Sequence, residues 1–174
     1  MAQITWEKGN VPVGMSVKQV YGIFFDQQGR VLLRIEKGAY KLTGGKPEVF
    51  DSDFCATLRR ELSEEANCSV EELVMVGYQK VDEEDGSPAY AQIRMTGVIK
   101  EIGAPRPDID KAGWIYGRVF VSAFRAAKLL NWGQVGINQI YDAAVIAQSH
   151  FGINIIGDDF FINEENVITD KGGK

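Results

Sequence analysis

Cysteine and histidine are nearly missing from this chain. Only Cys55 and Cys68 occur among 174 residues, and they do not form a CxxC pair, so neither a zinc site nor a disulfide framework has a basis in the sequence. A reducing, cytoplasmic setting is expected. His150 is the lone histidine and follows a helical apolar run, where a structural or surface role is expected. Basic residues are outnumbered, with 19 Lys and Arg against 24 Asp and Glu and a net charge of −5. That balance disfavours a surface that grips nucleic acid, because phosphate binding needs clustered Lys and Arg. A small anionic ligand stays open if a cation mediates. Long apolar runs are missing too: no stretch approaches the roughly 18 residues needed to cross a bilayer. The opening "MAQITWEKGN" lacks the apolar stretch of a signal peptide, so a soluble protein is expected.

What is present suits a single domain over residues 1–174, since 45% hydrophobic residues can fill one core. "VKQVYGIFFD" and "RVLLRIEK" read as strands joined by the Gly-containing turn "QQG". In "YKLTGGKPE" the chain is expected to leave the sheet at Gly44 and Gly45. Asp51 and Ser52 are placed to cap a helix whose apolar stripe is Phe54, Leu58 and Leu62, and Asn67 is suited to its left-handed end. Two long strands, "EELVMVGYQKVD" and "YAQIRMTGVIKEI", flank the acidic turn "EEDGSP" as a second hairpin. After the loop "GAPRPDIDKAG" come a strand, "WIYGRVFV", and two helices. The end adds a short strand and a tail that frays from about residue 164. An α+β sandwich follows, not a βαβ series.

The stretch "RRELSEEANC" carries an electrostatic conflict. Glu61, Glu64 and Glu65 fall within roughly 100° of helix arc, beside the apolar stripe. Arg60 and Glu64 suit an i,i+4 ion pair. Glu61 and Glu65, however, are like charges at i,i+4, which costs about 0.2–0.5 kcal/mol. All three sit near the negative end of the helix dipole, a further few tenths of a kcal/mol each. A solvated charged face is one reading. The other is a bound Mg²⁺ or Mn²⁺, which takes oxygen ligands, reverses the sign of these terms and shares its remaining positions with substrate phosphates.

"GGKPE" followed by "RRELSEEANC" resembles the Nudix box: Gly, five residues, Glu, seven residues, Arg-Glu-aliphatic, one residue, Glu-Glu, one residue, Gly-aliphatic. The second half is matched at Arg60, Glu61, Leu62, Glu64 and Glu65. Counting from Gly45, Asp51 stands for the first Glu, and eight residues separate it from Arg60, a one-residue insertion. Asn67 replaces the box Gly, and Cys68 its aliphatic neighbour. The resemblance implies a Nudix-type α/β/α sandwich with a mixed sheet and the Nudix loop-helix.

It also implies that Glu61, Glu64 and Glu65 hold Mg²⁺ or Mn²⁺, with the Gly45 carbonyl as a further ligand and Arg60 orienting the glutamates. Catalytic roles fall on Glu64, Glu61, Glu65 and Arg60. Additional acidic candidates are Glu48, in the "GGxxE" start, Asp108 and Asp110 before the later strand, and Glu83, Glu84 and Asp85 in the turn. The implied activity is hydrolysis of a diphosphate linkage in a nucleoside diphosphate joined to another group: a nucleoside triphosphate, nucleotide sugar or dinucleotide. Alternatives are a Nudix-fold nucleotide sensor without activity and an RNA 5′-end pyrophosphohydrolase, which the acidic balance disfavours. The partner is then a small nucleotide, not a nucleic acid or a membrane, and a homodimer is compatible. Candidates to meet it are Arg34 for phosphate and Tyr40, Tyr78 and Trp132 for base stacking, although such aromatics more often belong to a core.

Overall fold

The computed structural model describes residues 1–108, 112–155 and 168–169. Side-chain alternation sets its layers. In β2 (Val17–Phe25) Ile23 and Phe25 enter one core cluster, while Val20 and Phe24 enter another. In β3 (Val31–Glu36) Leu33 and Leu32 divide the same way, and in β9 (Gly117–Val121) Val119 and Val121 oppose Phe120. Successive strand residues face opposite sides, so both faces of this sheet are apolar and both need a cover.

One cover is α1 (Phe54–Ala66), which sets Leu58, Leu62 and Ala66 into the second cluster. The other is the pair α2 (Ala123–Leu130) and α3 (Gly133–Ser149), which brings Ala126, Leu130, Ile140 and Ala144 into the first. The architecture is α+β, with three helices among the described residues packed about a mixed sheet. Each fully buried leucine contributes about 1.5–3 kcal/mol relative to exposure.

Both expected hairpins form. β2 is antiparallel to β3, and β7 (Val74–Asp82) is antiparallel to β8 (Tyr90–Ile102). The mixed character comes from β2 and β8, which run parallel at the sheet centre. β1 (Gln3–Lys8) adds an outer strand beside β7, giving the order β1-β7-β8-β2-β3-β9, with the short β4 (Ala39–Lys41) on β3 and β6 (Cys68–Val70) on β8. At the other edge β10 (Ile168–Thr169) pairs with β9, inside the tail expected to fray from about residue 164 and not ahead of it. The other residues of that tail lie outside the described residues. Among those described, no helix is long and apolar enough to cross a membrane.

Three local readings change. The chain does not leave the sheet at Gly44 and Gly45: they belong to β5 (Thr43–Gly45), paired with β2 at Tyr21 and Val20. Gly44 has φ +149°, and a Cβ there would lie 2.2 Å from the Val20 carbonyl oxygen, so glycine is what lets these backbones approach. The helix cap is Asp53, not Asp51 or Ser52; its carboxylate accepts from the Ala56 N–H at 2.7 Å. Phe54 remains 38% exposed. Each four-residue step advances the stripe by about 40°, so Phe54 stands about 80° from Leu62, and Thr57 takes the inner position instead.

Asn67 ends α1 in the left-handed conformation, φ 48° and ψ 46°, as expected. Its side-chain amide donates to the Ala104 carbonyl at 2.7 Å, which ties the helix end to the segment after β8. Replacing the cap, Asp53→Ala, is expected to lower unfolding stability by about 1 kcal/mol, read by urea denaturation with unchanged m-value.

Candidate functional site

Arg60 organises the acidic face of α1. Its Nε and Nη2 donate to the two carboxylate oxygens of Asp51 at 3.1 and 2.9 Å, a bidentate pair across the loop that precedes the helix. The remaining terminal nitrogen, Nη1, donates to Glu61 at 3.0 Å and to Glu64 at 3.2 Å. Nη2 also reaches the Lys46 carbonyl at 3.2 Å. One guanidinium thus fixes the loop and gathers two carboxylates. Phe50 packs its ring 5.6 Å from the guanidinium carbon.

Asp51 is braced in turn. It accepts from the Glu48 N–H and the Thr57 hydroxyl, each at 2.9 Å, and its own N–H closes a turn onto the Glu48 carbonyl at 3.0 Å. Its side chain is 5% exposed. Hydrogen bonding to Arg60 is the main reason its carboxyl lies well below the ordinary range, and the same bond raises Arg60. Ser52 and Asp53 bridge from Asp51 to the first helical residue, Phe54.

Glu61 and Glu65 both lie against the glycine pair. A Cβ on Gly45 would sit 2.4 Å from Glu61 Oε1, so the glycine leaves a cradle for that carboxylate. Glu65 turns inward, with a side chain 4% exposed. It accepts from the Gly44 N–H at 2.8 Å and pairs with Arg34 Nε at 2.6 Å. Burial pushes its carboxyl up to about 8 against the pull of Arg34 and Gly44, and the charges of Glu61 and Asp108 push it the same way.

Asp108 is 3% exposed, its backbone bridges to Trp114, and its charge is felt by Glu65. Asp110 lies outside the described residues. Glu48 is exposed, and its backbone belongs to the loop turn. Glu83 accepts from the Tyr90 hydroxyl at 2.8 Å, while Asp85 accepts from Ser87, so these turn acids serve their own hairpin.

Among the described residues no three Asp, Glu, Cys or His side chains converge on one point. The donor set nevertheless fits a hydrated Mg²⁺ or Mn²⁺, which needs only one or two carboxylates: Glu61 and Glu64 are drawn to a single nitrogen, and the Gly45 cradle holds one of them.

The substrate candidates converge as well. Arg34, Tyr40 and Trp132 line one cavity of about 690 Å³, together with Tyr21, Gln79 and Arg94. Trp132, at the junction of α2 and α3, and Val135, in the first turn of α3, add to its wall. Tyr78 is a core residue, and His150 pairs with Glu72 at 2.6 Å on the surface. Sequence reasoning passed over Arg94, which lies between Ile93 and Met95 in the middle of β8. An arginine inside a long central strand was the available signal.

No protein-family model matches the chain, and no curated protein matches it. Solved structures do. MutT from Aliivibrio salmonicida and Vibrio cholerae is similar with a TM-score of 0.51 at 17% identity, over 71% of this chain and 93% of that one. The Ap4A hydrolase of C. elegans is similar with a TM-score of 0.51 at 13% identity, over 76% and 98%. The chain has the Nudix fold. It spans 61% of the length of the Bacillus subtilis pyrophosphohydrolase BsRppH, over 57% of its own, with a TM-score of 0.49 at 23% identity. Within the Nudix fold, the loop-helix runs from Gly45 to Cys68, with Arg60 and Asp51 as its internal clamp.

That clamp predicts an acid-sensitive helix. A carboxyl depressed in the folded state contributes stability above its ordinary value of 3.8 and loses it as pH falls below that value. Unfolding stability followed by circular dichroism is expected to fall below pH 3.8 more steeply for the native chain than for Asp51→Asn. At pH 7 the variant is expected to be less stable.

Proposed function

We propose that the chain hydrolyses a diphosphate linkage in a nucleoside diphosphate joined to another group. The observation that carries this reading is the Arg60 guanidinium, which holds Glu61 and Glu64 together beside the Gly45 cradle. Names of fold neighbours, a MutT and an Ap4A hydrolase, support the same chemistry.

Glu61, Glu64 and the Gly45 backbone would hold the cation, and Glu65 would join them on turning from Arg34. When bound, Mg²⁺ or Mn²⁺ neutralises diphosphate charge and lowers the pKa of a coordinated water. Glu64, the most exposed of the three carboxylates on Arg60 with a side chain 27% exposed, is placed to take the proton of the attacking water. Arg60 keeps it aimed. Arg34 lines the cavity and holds Glu65 through Nε and Glu36 through Nη1 at 3.0 Å, so releasing Glu65 would free the Nε side of its guanidinium to meet a phosphate oxygen.

The inward turn of Glu65 favours one second reading, a sensor that binds nucleotide without cleaving it. A hydrolysis screen separates the two, run with Mg²⁺ or Mn²⁺ over nucleoside triphosphates, dinucleoside polyphosphates, nucleotide sugars and dinucleotide cofactors. Release of nucleoside monophosphate from at least one substrate is expected, abolished by chelation. Glu64→Gln is expected to lower kcat on it by about 10²-fold or more. Binding without release would support the sensor, and activity indifferent to both chelation and Glu64→Gln would end the metal mechanism.

A further inference from the structure

Arg94 is a buried cation with no carboxylate beside it. It is 2% exposed, and among the described residues no Asp or Glu pairs with it. Burial lowers it only to about 10, so it stays charged near neutrality. Its partners are neutral. Nε donates to Gln139 Oε1 at 2.8 Å, Nη1 donates to the Gln92 and Ile93 carbonyls at 3.3 Å each, and Nη2 donates to Gln79 Oε1. Rings of Tyr21 and Trp132 lie 4.9 and 5.6 Å from its guanidinium carbon. An unpaired buried charge is costly, and here it borders a cavity of about 690 Å³, within the usual range for small-molecule sites.

The orientation of the amides follows from the arginine. Guanidinium groups only donate, so Gln139 and Gln79 must both turn their oxygens toward Arg94. The Gln139 amide nitrogen then donates to the same Gln79 oxygen at 3.1 Å, which is consistent. With its oxygen taken by two donors, Gln79 has only its N–H groups to offer the cavity it lines. Arg94 has five N–H groups, and its second Nη2 hydrogen adds another donor. Gln92, also on the wall, gives an amide hydrogen to Gln19 at 2.7 Å and keeps its own oxygen as an acceptor. At Arg94 and Gln79 the floor offers donors, and its walls are the aromatic rings of Tyr21, Tyr40 and Trp132.

We propose that this cavity receives the nucleobase of the substrate, and that Arg94 and Gln79 select a base edge carrying a carbonyl oxygen over one carrying an exocyclic amine. The choice of a base as occupant rests on the reading that the substrate is a nucleotide. A keto oxygen accepts from Gln79 and Arg94 and gives the buried charge an acceptor. An amine at the same ring position would face donors with a donor and leave both sides buried and unpaired, the situation that separates close analogues most strongly. Trp132, at the junction of α2 and α3, supplies a stacking face that tolerates either ring type.

The test is equilibrium binding of inosine, adenosine, uridine and cytidine 5′-monophosphates by calorimetry without divalent metal. Each keto and amino pair differs at one exocyclic group, O6 against an amine or O4 against an amine, and at the ring nitrogen beside it, which is an N–H donor in the keto base and an acceptor in the amino base. Inosine monophosphate is expected to bind at least about tenfold tighter than adenosine monophosphate, and uridine at least about tenfold tighter than cytidine monophosphate. Gln79→Glu gives Arg94 a carboxylate and removes the amide donor, and it is expected to abolish the preference without lowering the melting temperature. Trp132→Ala, at a partly exposed site, is expected to weaken all four nucleotides while keeping their order. Equal binding within each pair, or a preference that survives Gln79→Glu, would overturn the proposal. So would hydrolysis of diphosphate substrates with no preference between keto and amino bases, which leaves the activity standing. A keto preference in a protein that cleaves nothing would keep the base site and sink the hydrolase reading.

Discussion

The bidentate pair between Arg60 and Asp51 is the contact on which the rest of the site depends. An arginine fork meets a carboxylate in one orientation, so the pair sets both the position of the loop and the rotation of the guanidinium. Its third nitrogen is then presented to Glu61 and Glu64, which would repel each other and the helix end without it. The pair is made from side chains, and Ser52 alone separates Asp51 from the cap residue Asp53. Asp51 for Glu is a shorter arm, and the turn at Glu48 brings it within reach.

The same economy of contacts connects the helix to the cavity. Gly44 gives its N–H to Glu65, and Gly45 gives room to Glu61, so two adjacent residues without side chains serve two carboxylates. Arg34 takes the other oxygen of Glu65 and lines the cavity where Tyr21, Trp132 and Arg94 meet. A change at Glu65 is therefore felt on both sides of Arg34. The loop ahead of α1 and the cavity are thereby two ends of one chain of contacts.

Much of this was legible in the sequence where the cause is local. Turn residues and alternating strands announced both hairpins, and Asn67 announced the helix end because few residues adopt a left-handed conformation. The i,i+4 conflict of Glu61 with Glu65 pointed to a special helix face. What stayed hidden depends on partners distant in the chain. Asp51, Ser52 and Asp53 are equally good caps by type, and Asp51 lost that role because Arg60, nine residues on, claims both its oxygens. Gly44 looked like a turn because no local signal shows that β2 needs backbone approach there. Glu65 was grouped with Glu61 and Glu64 by helical angle, but Arg34 and Gly44 draw it inward. Arg94 was silent because its surroundings, Gln79 and Gln139, come from a neighbouring strand and a helix beyond it.

The central claim is that Glu61 and Glu64, gathered by Arg60, form a seat for a divalent cation. Mn²⁺ binding followed by electron paramagnetic resonance tests it without any substrate. Native protein is expected to take up Mn²⁺, and the Glu61→Gln, Glu64→Gln double variant, with its fold verified by circular dichroism, is expected to bind at least about tenfold more weakly. Equal Mn²⁺ affinity in the two proteins would contradict the account and leave the acidic face a solvated one.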